Sequence, residues 1–592
     1  RGCQHHAAQS ADVRVAVVPG AGQAGLLCPL ADDGTMLDSP ALEPELVAAM
    51  ASRERAGEVR WVLPSAARAY PDLLRAGVRL TRCHDVLLTE GLLAGRDGPA
   101  AAEDEHAAAT ARLAEAGPSR AAESSQLMFE EPGPADRGAR ASPDVMADLI
   151  AVHASQLARI AADPLGARFA LLAAAESAGG LAAAEMTAAG LPWRADIHDE
   201  LLTELLGPRP AVAPGLPLLP ARLAELIPQI SAALGAVRPV NPDSPAQLLR
   251  ALAASGIRVP STRTSVLRAV DHPVIPLLLR YKELARLHAA NGWSWLDTWV
   301  ADGRFRPEYI PGGVVSGRWA TRGGGALQIP KVLRRAVVAD PGCVLVVADA
   351  AQLEPRVLAA LAGDRGFAQA AASGDVYTAV GQALGIDRDR SKIALLSAMY
   401  GGTGGDGGQS LALLRRRFPQ ASAFVEAAAR AGEEGRVVRS VLGRTCPPPS
   451  AAWLSVTSEG GDPEQERDPG AGQALRARGR FTRNFVVQAS AADWALVLIA
   501  ALRPSLTALA GHDQAGPAQA GRDQARPAQA GRPELVFFQH DEVLVHCQQS
   551  QAADVVAAIE AAAVSASRMV FGPTPVTFPM TIAVVDSYAE AK

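Results

Sequence analysis

The stretch CVLVVADAAQLEPR, Cys343–Arg356, decides how this chain is read. It opens on an unbroken apolar run, Cys343–Ala348, and ends that run on Asp349. A run rich in valine and bounded this way predicts a strand buried on both faces. From Glu354 to Leu361 the pattern becomes helical, and Pro355 falls in the first turn, where its missing N–H is tolerated. A carboxylate therefore stands where a buried strand ends. Taken alone, such an aspartate is usually a helix cap or a solvated turn.

Working outward, a second carboxylate changes its meaning. Glu534–Phe538 and Val543–Cys547 are apolar and flank His540-Asp541-Glu542, a hairpin with a polar tip. Two carboxylates on adjacent strands can hold two divalent ions about 3.5–4 Å apart, an arrangement suited to phosphoryl transfer. Mg²⁺ fits such oxygen donors and substrate phosphates, with Mn²⁺ as the alternative ion. Residues 376–400 read as two helices, and the second carries Arg388, Lys392, Leu396 and Tyr400 at intervals of four. That spacing lines one face. A cationic face can bind a triphosphate, and Tyr400-Gly401 adds a ring on which a base can stack. The bland alternatives are a solvated helix face and core packing.

In this order the motifs resemble the family-A, polymerase I-type DNA polymerases, specifically an actinobacterial subgroup described as bifunctional 3′–5′ exonuclease and polymerase. Asp349 to Arg356 is similar to that family's first motif. Arg388, Lys392 and Tyr400-Gly401 match the second, and His540-Asp541-Glu542 the third. Ser316-Gly317-Arg318 and Leu327-Gln328-Ile329-Pro330 resemble the stretch before the first motif. Arg480, Asn484 and Gln488, then Ala491-Ala492-Asp493, resemble a further helix. Asn241 to Leu248 and Tyr281-Lys282-Glu283-Leu284 resemble the thumb. The likeness covers about residues 190–592.

The resemblance implies a multidomain α/β fold with a right-hand palm, fingers and thumb, preceded by a degenerate exonuclease-like (RNase H-like) α/β domain. It implies two Mg²⁺ held by Asp349 and Asp541, with Glu542 as a supporting carboxylate. Arg388 and Lys392 would meet the incoming triphosphate, and Lys392 would give a proton to the pyrophosphate. Gln352, Leu396 and Tyr400 complete the nucleotide site. Glu354 would lie under the sugar and exclude a 2′-hydroxyl. Arg318, Arg480, Asn484 and Gln488 would contact the primer–template minor groove, whose acceptors look alike for every pair. His540 would position the primer end. Leu396 stands where the family has Phe or Tyr, and Ala350 where it has Tyr. Pro355 and Gly402 are also atypical.

The expected domains are 1–96 (exonuclease-like), 97–145 (acidic flexible linker), 146–190 (its helical remainder), 191–300 (thumb), 301–370 (palm), 371–484 (fingers) and 485–592 (palm). Two segments, 458–472 and 511–533, read as disordered insertions; the second holds a near-repeat, HDQAGPAQAG then RDQARPAQAG. At the N-terminus, Val13–Val18 and Val59–Leu63 read as strands, and Pro71–Gly77 and Asp85–Gly95 as helices. A two-metal exonuclease needs several acids, yet Val13–Pro19 has none. Cys83-His84-Asp85 supplies one acid only, so this domain is read as inactive.

Composition sets outer bounds. With 592 residues the chain exceeds what a single core supports. It is 48% hydrophobic and 20% charged, as globular proteins are. Net charge is −5, but residues 97–145 carry ten acids against four bases, while residues 301–356 carry eight bases. Arginine supplies almost all the positive charge, since only Lys282, Lys331, Lys392 and Lys592 are lysines. The six cysteines form no CxxC pair, which argues against zinc and suits a reducing cytoplasm. No signal peptide and no membrane span are expected. The expected partners are primer–template DNA and deoxynucleoside triphosphates, bound by a monomer at the bacterial nucleoid. Two other readings compete: a catalytically silent DNA-binding protein of the same fold, and a single-subunit RNA polymerase. Glu354 speaks against the latter.

Overall fold

Alternation along one strand organises the N-terminal part. Strands β1 (Val13–Pro19), β2 (Gly25–Leu30), β3 (Ala41–Glu43), β4 (Val59–Leu63) and β5 (Cys83–Asp85) form one sheet in the order β3-β2-β1-β4-β5. The pairs β1/β2 and β2/β3 are antiparallel, while β1/β4 and β4/β5 are parallel. Successive side chains of a strand point to opposite faces. Val15 and Val17 accordingly join a core with Trp61, Tyr70 and Leu181, and Ala16 and Val18 join another with Met146 and Leu149. Both faces are covered, which explains why β1 is apolar from Val15 onward.

The computed structural model describes residues 13–20, 23–57, 59–98, 105–115, 142–210, 219–372, 374–401, 406–458, 469–510 and 531–591. The chain divides into two compact units. One comprises Arg1–Ala188, Tyr309–Ala320 and Val346–Ala583, and holds the N-terminal sheet together with Arg318 and the motifs from Asp349 to Glu542, while Leu327–Pro330 falls in the other. Its second sheet has strand order Glu534–Gln539, Glu542–Gln548, Cys343–Ala350, Met580–Val585. A helix of 41 residues, Pro469–Leu509, packs against the helices Pro419–Glu433 and Ala552–Phe571. The other unit comprises Ala189–Glu308, Thr321–Leu345 and Val584–Lys592. The stretch expected to be palm, 301–370, is thus shared between the units.

In the second unit the thumb-like motif explains its own turn. Asn241 Oδ1 accepts from Asp243 N–H at 2.9 Å, Ser244 caps the Pro245–Ala254 helix through Gln247 N–H, and Pro245 occupies its first turn. Tyr281 donates to Asp243 at 2.7 Å, so the two thumb-like motifs meet. The unit's core stacks Trp193, His198, Trp295 and Phe305. Trp193 donates to His198 Nδ1, so His198 Nε2 carries the proton it gives to the Asn291 carbonyl at 2.9 Å.

Four expectations need adjustment. Most of the linker (99–104 and 116–141), most of both insertions (459–468 and 511–530) and Gly402 lie outside the described residues. Inside the linker, however, Glu105–Glu115 is a helix. Its alanines favour helix, Leu113 and Ala109 are buried beside Met146 and Leu149, and Arg112 grips Asp148 at 2.7 Å. The long helix begins at Pro469, so the last residues of the first insertion are helical, and the boundary drawn at 484 falls inside this helix. The helix expected from Pro71 begins at Ala66, with Pro71 in its interior. Two helices, Gly166–Ala189 and Gly470–Leu509, are long and apolar enough to cross a membrane, but 72% and 83% of their apolar windows are buried inside the protein.

The sheet also carries a pH liability. His84 faces Gln156 Oε1 at 2.8 Å, and the Gln156 amide nitrogen donates to the Val86 carbonyl and Glu90. His153 packs edge-on to His84 at 4.4 Å, and neither of its ring nitrogens has a hydrogen-bond partner among the described residues. Burial pushes His84 down to about 4 and His153 down to about 2. Below the ordinary value of 6.5 the unfolded chain takes up these protons and the folded one does not. Stability is therefore lost as pH falls from about 6.5, by up to about 2–3 kcal/mol per histidine at pH 4.5. Asp85, pushed up to about 6 by burial, works the other way, since the folded state keeps its proton there. Two histidines outweigh one aspartate. Thermal unfolding between pH 7.5 and 4.5 should show a falling midpoint, and His153→Leu should flatten the slope.

Candidate active site

The buried strand Cys343–Ala350 delivers Asp349 half-exposed at its end. Backbone geometry sets its neighbour: Ala350 N–H donates to the Asp541 carbonyl at 3.1 Å. The end of the Asp349 strand thus lies beside the loop that carries Asp541. Asp541 is held by a two-residue loop, since Gln539 pairs with Glu542 and His540 takes the left-handed conformation at φ 61°. Glu542 is buried at the start of the next strand. Among the described residues no cluster of three or more His, Cys, Asp or Glu is arranged to hold a metal. Two carboxylates without such a cage are what Mg²⁺ uses when substrate phosphates and water supply its other ligands.

After Asp349 the chain turns on Gln352, whose φ of 56° starts the Leu353–Leu361 helix. Gln352, expected on the nucleotide, has both ends of its amide committed elsewhere. Its oxygen accepts from Val376 N–H at 2.7 Å and its nitrogen donates to Asp375. Glu354, in the first helical turn, is also fully engaged. One oxygen pairs with Arg318 at 2.5 Å and the other accepts from the Tyr400 hydroxyl at 2.6 Å. Burial, then Glu354, pushes the Tyr400 phenol well up. His540 is held below its ordinary value by desolvation first and then by Arg318. Arg318, Glu354, Tyr400 and His540 therefore form one cluster.

The Arg388–Tyr400 helix is capped by Asp387 through Arg390 N–H and ends on Gly401 at φ 76°. Its stripe behaves as the spacing requires: Arg388, Lys392 and Tyr400 are exposed and Leu396 half-buried, while Ala394, Leu395, Ala398 and Met399 are buried. Arg388 and Lys392 both lie over the Tyr377 ring, at 5.5 and 6.0 Å. Gly401 is also the point of close approach to the long helix, because a Cβ there would meet Arg480 Cγ at 2.9 Å. Arg480 is exposed, and Asn484 and Gln488 follow on the same face, half-buried. The Asn484 side-chain oxygen is buried without a hydrogen-bond partner among the described residues.

Sequence reasoning missed Asp375, Tyr377 and the use made of Arg356. Asp375 caps the Val376–Leu384 helix and pairs with Arg388 at 2.9 Å. Burial raises its carboxyl, but the Arg388, Thr378 and Gln352 hydrogen bonds outweigh this and bring it down to about 2. In the N-terminal sheet, Asp85 is a cap: its two oxygens accept from Leu88 N–H and Ala66 N–H, at 2.9 and 2.7 Å.

The profile of DNA polymerase family A matches residues 218–589. A thermostable DNA polymerase I of Thermus filiformis is 27% identical over 289 residues, 43% of this chain and 32% of that protein. That of Thermus thermophilus is 33% identical over 132 residues, 20% of this chain and 15% of its own length. The chain thus spans about a third or less of the curated relatives it matches. Among solved structures, the POL domain of Pol1 from M. smegmatis, in complex with DNA primer-template and dNTP, aligns with a TM-score of 0.66 at 20% identity, covering 98% of this chain and 96% of that one. At that identity the likeness is one of fold.

Proposed function

Since the chain belongs to DNA polymerase family A, we propose that it is a template-directed DNA polymerase that adds deoxynucleoside triphosphates to a primer 3′ end. The observation that supports this reading is the backbone bond from Ala350 N–H to the Asp541 carbonyl, between the strand of Asp349 and the loop of Asp541. Asp349 and Asp541 would hold two Mg²⁺, or Mn²⁺, supported by Glu542. When bound, the ions activate the primer hydroxyl and neutralise the leaving pyrophosphate.

The chain's own groups do the rest. Arg388 and Lys392 bind the triphosphate, and Lys392 Nζ holds the proton that passes to a pyrophosphate oxygen. Tyr400 stacks beneath the base and Leu396 packs beside it. Glu354, fixed by Arg318 and Tyr400, is a carboxylate wall that a 2′-hydroxyl would meet. Arg318, Arg480, Asn484 and Gln488 check the minor groove of the duplex, and His540 orients the primer end. This reading puts the protein in the bacterial cytoplasm as a monomer on nucleoid DNA, serving replication or repair, with no membrane partner. The burial of both apolar helices supports that last point.

Primer extension with Mg²⁺, run with deoxy- and ribonucleotides side by side, tests the proposal. Extension is expected with the former only; a protein that binds primer–template yet adds neither would sink it. For the N-terminal sheet the expected outcome is silence. Single-stranded 3′ ends labelled at the 5′ terminus should stay intact. The support is that β1 has both faces packed and that Asp85 is spent on two backbone amides. Digestion abolished by Asp85→Asn would overturn this.

A further inference from the structure

The Arg388 side chain is not a loose cation. Its Nε and Nη2 bond Asp375 Oδ2 at 3.3 and 2.9 Å, and its face rests on Tyr377. Guanidinium has five N–H donors, so three remain for phosphate. The other carboxylate near it, Asp389, stands 3.9 Å from Nη1 and is 89% exposed, a pairing of little weight. Asp375 is itself anchored. Its Oδ1 accepts from Thr378 N–H at 2.7 Å, which is all that a cap requires. Its Oδ2 takes Arg388 and the Gln352 amide, which a cap does not require. Gln352 sits on the turn between Asp349 and Glu354 and also accepts from Val376 N–H.

We propose that Asp375 is a positioning residue for nucleotide binding: it fixes the Arg388 guanidinium, is fixed in turn by Gln352, and so holds the triphosphate-binding cation in register with the strand that carries Asp349. The identity of the ligand rests on the polymerase reading. The cost of misplacing such a cation is large because phosphoryl transfer depends on positioning and charge.

Asp375→Asn separates this role from capping. Asparagine caps as well as aspartate, but its amide nitrogen cannot accept from Arg388 or Gln352. Nucleotide affinity is measured on a dideoxy-terminated primer–template with dNTP and Mg²⁺, so that no chemistry is needed. D375N should weaken dNTP binding about tenfold, the loss of one charge-assisted bond, with primer–template affinity and melting midpoint unchanged. Added to Arg388→Ala it should cost nothing further. If D375N melts lower, Gln352→Met, which leaves the cap and the ion pair, is the second variant, with about a threefold loss expected. A D375N affinity within twofold of wild type, or an equal loss in the R388A background, overturns the proposal. Wild-type protein that shows these binding effects but extends no ordinary primer sinks the polymerase reading alone. Wild type that binds no dNTP sinks both.

Discussion

Asp349→Asn and Asp541→Asn are each expected to abolish primer extension, lowering the single-turnover rate by about 10³-fold or more while primer–template affinity stays within a few-fold of wild type. The physical reason is local. Asp349 sits near the end of a strand and Asp541 in the tight loop between two paired strands, both held by main-chain bonds, so the substitution removes charge and leaves the backbone where it was. An isosteric amide cannot offset two divalent charges. Substrate phosphates then lose the cations that bring them to the primer hydroxyl. A thousandfold loss corresponds to about 4 kcal/mol of barrier. Quenched-flow extension with each variant measures it, and either variant retaining a tenth of the wild-type rate would remove that residue from the metal site. Double substitution should be no worse than either single one, because the pair acts as a unit.

Arg356→Met should destabilise the first unit by an amount on the order of 4 kcal/mol, a large effect for one residue. Arg356 is 1% exposed. Its Nε donates to the Ala351 carbonyl at 2.8 Å, Nη1 to those of Ala371 and Thr577 at 2.9 and 3.0 Å, and Nη2 to that of Gly374 at 2.5 Å. One guanidinium thus satisfies four main-chain acceptors from three separate segments. Methionine fills much of the volume but offers no donor, so four buried carbonyls lose their partner. Lysine should recover only part, because three donors on a flexible stem cannot reproduce the fork. Urea unfolding measures the difference. A loss below about 1 kcal/mol would mean that water replaces the guanidinium.

The legible parts of this protein were those with a period or a pattern. Val13–Pro19, Val59–Leu63 and Cys343–Ala350 announce strands because each is apolar at all but one position. The Arg388, Lys392, Leu396, Tyr400 stripe is visible because four residues make about one turn. Asp541 is visible because two apolar runs leave only a polar tip between them. What stayed hidden has no local signature. Asp375 before a Val-rich helix looks like any N-cap, and only the fold brings Arg388 to its second oxygen. Gln352 belongs to the first motif by sequence, and only the fold shows its amide bonded to Val376 N–H and Asp375. The helix Glu105–Glu115 was taken as linker because alanine and glutamate are common to both. The 41-residue helix was cut short because glycine and proline near 470 resemble a loop, although a helix accepts both in its opening turn.

The Gly166–Ala189 helix carries two acids inward. Glu176 meets Arg444 at 2.7 Å, and Arg444 also bonds Asp493 at 3.2 Å, all three buried. Glu185 meets Arg503 at 2.7 Å, and Arg503 reaches the Leu80 and Thr81 carbonyls beside the N-terminal sheet. Both arginines and Asp493 lie within the residues that the family profile covers, 218–589, while Glu176 and Glu185 precede them. A truncation to the profile residues would leave Arg503 buried without Glu185 and Arg444 with Asp493 alone. The N-terminal segment is in this way an electrostatic foundation for the rest of the chain, a service independent of any chemistry of its own.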